Sequence, residues 1–73
     1  MYKLTEKGED YLDSTNGLPK SLKRSFLVSL SSGSSTVDFA IHNMSLSKNP
    51  DEFLEKFIVG LKTWESQGLI EVD

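Results

Sequence analysis

Both ends of this 73-residue chain are apolar, and it has no cysteine to staple them. That combination limits its possible folds more than any other feature. The chain begins Met1-Tyr2-Lys3-Leu4 and finishes Gly68-Leu69-Ile70-Glu71-Val72-Asp73. Tyr2 and Leu4 alternate with polar neighbours, as do Ile70 and Val72, which is the spacing of half-buried strands. A lone short strand has no stability of its own in water, so each needs a partner. We expect the first strand, Met1–Leu4, to find its partner at the other end of the chain, where Leu69, Ile70 and Val72 make a second short strand.

The length permits one domain, residues 1–73. A chain this short buries only about 60% of the surface it exposes when unfolded. Without cysteine there are no disulfides, no thiolate catalysis and none of the usual structural zinc sites. His42 is the only histidine, so an imidazole metal site would need a second chain. No cofactor is expected. Hydrophobic residues at 37% and charged residues at 26% match a globular domain. The longest apolar run is too short to cross a bilayer and no secretory signal precedes the first helix. The expectation is a soluble, cytoplasmic protein with no membrane partner. Its net charge of −3 gives no overall reason to bind a polyanion.

Four helices are predicted between the strands. Thr5 caps the first, whose apolar stripe is Leu4, Gly8, Tyr11 and Leu12, and Ser14-Thr15-Asn16-Gly17 stops it. Pro19 suits the first position of a second helix with Leu22, Phe26, Leu27 and Leu30 on one face. Ser31-Ser32-Gly33-Ser34 breaks it. Ser35-Thr36-Val37-Asp38 then carries a helix-start pattern, with Val37, Ala40, Ile41 and Met44 as the inward face. Ser45 to Lys48 read as a polar connection. Asn49 and Pro50 open the longest helix, with Asp51 and Glu52 at its positive end. Its apolar arc is Phe53, Leu54, Phe57, Ile58, Leu61 and Trp64; it runs to about Gln67, with Gly68 as the terminator. Gly8 and Gly60, inside helices, are read as points of close approach between packed elements, with simple tolerance at an exposed position as the alternative. The fold class expected is mainly α, with four helices and a small two-stranded antiparallel sheet from the termini. A plain four-helix bundle with disordered ends is the alternative, and it leaves Tyr2, Leu4, Ile70 and Val72 without a reason to be apolar.

Helix, Ser/Gly turn, short helix, long helix and then Gly68-Leu69-Ile70 is the order of a helix-turn-helix with a wing. Residues 19–73 resemble the core of winged-helix proteins, particularly regulators of the MarR and PadR type. In those families the long helix commonly ends in an "eGLI" stretch, here Ser66-Gln67-Gly68-Leu69-Ile70. Their second wing strand commonly reads "Y-x-L-T-x-x-G", which Tyr2-Lys3-Leu4-Thr5-Glu6-Lys7-Gly8 matches. In the family that pattern follows the GLI strand; here it precedes every helix. The resemblance therefore implies a circularly permuted arrangement, in which the N-terminal strand pairs antiparallel with Gly68–Asp73 and the wing tip is open. It also implies a DNA-binding regulator with the long helix in the major groove.

The residues themselves give that function little support. Candidate nucleic-acid contacts are Lys20, Lys23, Arg24, Lys48, Asn49 and Lys56. The outward side of the long helix carries Glu52, Glu55, Lys56, Val59, Lys62, Thr63 and Ser66, so its charges cancel. It has no arginine to read guanine and no Asn or Gln to read adenine. Asp51, Glu52 and Glu55 crowd the turn that usually meets base edges, and Glu71 and Asp73 at the open wing are offset only by Lys3. DNA is a partner implied by the resemblance and disfavoured by the charge. A protein-interaction adaptor is the second reading, with Val59, Lys62 and Thr63 as candidate partner contacts. The helix Thr5–Ser14 resembles the dimerisation helix that follows "LT-x-x-G" in the family, which implies symmetric pairing through Tyr11 and Leu12 as one use for them. Packing within so small a monomer is the expected use, and the chain is expected to be a monomer or a weak homodimer. No enzyme is expected: Ser31 to Ser35 lack the Gly-Lys-[Ser/Thr] of a phosphate loop, and nothing places an acid and a serine beside His42. Trp64 and Phe53 belong to the core arc.

Overall fold

The two ends of the chain meet. In the computed structural model, which describes residues 2–73, β1 (Tyr2–Leu4) pairs antiparallel with β2 (Ile70–Val72). The register is Tyr2 opposite Val72, Lys3 opposite Glu71 and Leu4 opposite Ile70. The Met1 end of the expected strand lies outside the described residues. Between the strands run α1 (Glu6–Ser14), α2 (Leu22–Ser31), α3 (Thr36–Leu46) and α4 (Pro50–Ser66). The architecture is the mainly helical one expected, with a two-stranded sheet made by the N- and C-terminal strands.

Thr5 fastens the first strand–helix junction to the last helix–strand junction. Its N–H donates to the Leu69 carbonyl (3.1 Å) and its hydroxyl donates to the Gly68 carbonyl (2.5 Å). The same hydroxyl accepts the Gly8 N–H at 3.0 Å, which caps α1. On the other side, Gly68 N–H donates to Glu65 O and Leu69 N–H to Trp64 O. These two bonds make the paired C-terminal closure in which a glycine ends the helix and the next, apolar residue folds back. Leu69 is accordingly buried beside Trp64 in the core. Gly8 sits at the tightest point. A β-carbon there would collide with the Leu69 carbonyl oxygen and with a Leu4 methyl. Gly60 answers a different need, because the Trp64 ring lies over it one turn further along the same helix.

The core is aromatic. Phe26 is fully buried, with ring centroids 5.1 Å from Phe39, 5.1 Å from Phe57 and 5.6 Å from Trp64. Phe53 stacks on Phe57 at 5.7 Å. Leu27, Leu69 and Ile70 complete the buried set, with Tyr2, Leu4, Tyr11 and Leu12 packed around it. Tyr11 and Leu12 are half-buried against the core, in agreement with their expected use.

Several expectations are corrected. Pro19 does not open α2; Ser21 does, by accepting the Arg24 N–H at 3.2 Å. The side chain able to take up a free backbone donor sets the helix start. On α3 the inward side is Thr36 and Phe39, with the expected Ala40 packed against the core and Met44 half-buried, while Val37 and Ile41 are 48% and 61% exposed. The Phe39 ring has more apolar area to bury than either aliphatic, so the helix turns that edge inward. The helix also continues to Leu46, leaving Ser47 to Asn49 as the connection. On α4, Ile58 is 46% exposed at the edge of the apolar arc. The last strand begins at Ile70, not Leu69, and its Val72 is exposed.

Thr36 is 8% exposed, and its hydroxyl has no hydrogen-bond partner among the described residues. Thr36→Val keeps the shape and removes an unsatisfied polar group, so urea unfolding should show a gain of about 1 kcal/mol. Gly8→Ala should do the reverse. The helix-propensity gain of about 1 kcal/mol is outweighed by backbone that must move. A net loss of about 1–2 kcal/mol in the same assay is expected, as for other overpacked sites.

Candidate interaction surface

Four of the eight basic residues line two shallow depressions. Lys20 and Arg24, with Ser25 and Val28, line one of about 340 Å³. Lys48, Asn49 and Lys56, with Ser47, Glu52 and Phe53, line another of about 270 Å³. The first stands at the start of α2, the second where the Ser47–Asn49 connection enters α4.

Of the five candidate cations, Lys23, Arg24 and Lys56 are already engaged. Lys23 lies over the Tyr11 ring, 4.5 Å from its centroid, and donates to Gln67 Oε1 at 3.1 Å. It is half-buried and does not join the first depression. Arg24 donates from one guanidinium nitrogen to the Leu12 carbonyl (3.4 Å) and the Thr15 hydroxyl (3.2 Å). It thus ties the end of α1 to α2. Lys56 pairs with Glu52 one turn back at 3.0 Å. Such an exposed pair contributes little to stability, but it sets a carboxylate against the positive charge of Lys56. Asn49 is a capping residue: its Oδ1 accepts the Glu52 N–H at 3.2 Å, and its amide donates to Glu52 Oε2 at 3.4 Å. The second depression therefore contains a carboxylate beside its lysines.

Along the outward side of α4, Glu52, Glu55, Val59, Lys62, Thr63 and Ser66 are all exposed, as the spacing requires. Val59 is 64% exposed, and the Thr63 hydroxyl is turned back onto the Val59 carbonyl at 3.1 Å. Lys62 keeps a solvated position beside them. At the open end of the sheet, Lys3 and Glu71 face each other in register at 3.3 Å, as an exposed pair. His42 is exposed on α3, and its carbonyl accepts the Ser45 hydroxyl. Sequence reasoning missed the exposed aliphatics Val37 and Ile41. Helical spacing alone gives them the same signal whether they face the core or the solvent. Among the described residues no helix is long and apolar enough to cross a membrane.

No family model matches this chain, and no curated protein or solved structure matches it either. Its surface has to be read from its own chemistry.

Arg24→Ala should loosen the α1 end while leaving the aromatic core intact. The expected loss is about 1 kcal/mol, with faster amide exchange near Thr15 and Leu18. An effect spread evenly over all helices would show that Arg24 does not act through this junction.

Proposed function

We propose that this chain is a small, non-catalytic binding module of the winged-helix kind. In this reading it resembles MarR- and PadR-type domains in circularly permuted form and meets a protein partner through the outer face of α4. The observation that carries the proposal is how the cations are used. Lys23, Arg24 and Lys56 face groups of their own chain, and the α4 surface left to solvent is almost neutral around Val59. A neutral face with an apolar centre is a workable protein contact. The same face is a poor match to phosphates, whose neutralisation supplies most non-specific nucleic-acid affinity.

A second reading, duplex DNA, is favoured by one observation. Five of the six candidate contacts, Lys20, Arg24, Lys48, Asn49 and Lys56, border the two depressions. Phosphates there would meet lysine and arginine, although Glu52 opposes them at the second.

The readings separate in two measurements. Titration with random duplex DNA at low salt should show no salt-sensitive binding. Affinity capture from the native host should yield a partner that Lys20→Glu retains and Val59→Glu weakens by about tenfold, the effect of losing a central contact. Salt-sensitive DNA binding lost on combined glutamate substitution of Lys20, Arg24 and Lys48 would replace the first reading with the second.

A further inference from the structure

The α1–α2 turn holds the chain's only Asn-Gly pair, Asn16-Gly17, and both residues are exposed. We propose that Asn16 is a site of spontaneous covalent modification, deamidation through a cyclic imide. The reaction requires the backbone nitrogen of the following residue to reach the asparagine side-chain carbonyl carbon. Three features of the turn favour that approach. The Gly17 N–H has no acceptor among the hydrogen bonds of the described residues. No hydrogen bond holds the Asn16 carboxamide there either. And Gly17 has no side chain to obstruct the attack, with nothing within 4 Å of where a β-carbon would stand.

The chemistry balances without a cofactor. The deprotonated Gly17 nitrogen attacks Asn16 Cγ, the tetrahedral adduct expels the amide nitrogen as ammonia, and a five-membered succinimide remains. Water then opens the ring at either carbonyl. One product is aspartate; the other is isoaspartate, in which the chain continues through the former side chain. The net change is asparagine plus water to acid plus ammonia.

The other two asparagines are internal controls. Asn43 lies within α3, and its amide donates to the Phe39 carbonyl at 2.8 Å. Its following N–H belongs to the helix, which must open locally before attack. Asn49 precedes Pro50, which has no N–H to deprotonate. The modified turn would carry an extra carboxylate beside Thr15, the residue whose hydroxyl accepts from Arg24. In the isoaspartate form it would also carry an added backbone carbon inside the turn closed by Leu18 N–H and Thr15 O.

The test is incubation of the whole folded chain in mildly alkaline buffer, followed by intact mass, peptide mapping and isoaspartyl methyltransferase labelling. The expected result is a first-order gain of one mass unit at residue 16, as two isomeric products. It should run at least about tenfold faster than at Asn43, the factor set by a local opening cost of about 1.4 kcal/mol. Asn16→Gln, confirmed as folded by circular dichroism, should abolish the fast phase. In urea, Asn43 should accelerate towards the rate expected of a free peptide while Asn16 changes little. Conversion at residue 16 no faster than at Asn43 would overturn the proposal. So would a fast phase that survives Asn16→Gln, or an Asn16 rate that rises in urea as steeply as that of Asn43.

Discussion

The contact between Thr5, Gly8 and the Leu69 backbone is the constraint on which the rest of the fold depends. Thr5 uses both its amide and its hydroxyl on the last turn of the chain, and its hydroxyl still caps α1. Gly8 lets the α1 backbone come against the Leu69 carbonyl at a distance no side chain would permit. Together they fix where the two strands meet and so determine which side chains, Leu4 and Ile70, close over the core. A three-residue strand cannot specify its own register. Here the register is set from outside the sheet, by a helix cap and a helix end.

The aromatic cluster decides how the helices are rotated. All four phenylalanines and the tryptophan join one network centred on Phe26 and Phe57. Burying Phe39 turns Val37 and Ile41 outward, and placing Phe57 and Trp64 inward leaves Ile58 at the margin. In a domain with so little interior, large rings take precedence over aliphatics, because they bury more area for each ordered side chain. Several aliphatics are consequently left on the surface.

Some of the charged side chains are engaged within the chain. Lys23 and Arg24 hold α1 and the α4 terminus against α2, and Lys56 and Asn49 serve the first turns of α4. A binding function that relied on these groups would have to draw them away from contacts they already make. That is the physical basis for favouring a neutral protein contact over a polyanion.

Much of this was legible in the residue order. Local chemistry defines the helix caps at Thr5, Ser35 and Asn49 and the end at Gly68, since each depends on groups a few residues apart. Alternation at Tyr2, Leu4, Ile70 and Val72 marks two strands that each need a partner, and the likeness of both ends to the strands of a wing set them antiparallel. What only the tertiary structure decided is rotation and engagement: that Phe39 displaces Val37 and Ile41, that Ser21 and not Pro19 starts α2, and that Lys23 lies on Tyr11. Those outcomes arise from competition between side chains distant in sequence for one small interior and one set of acceptors, and no local pattern records who wins.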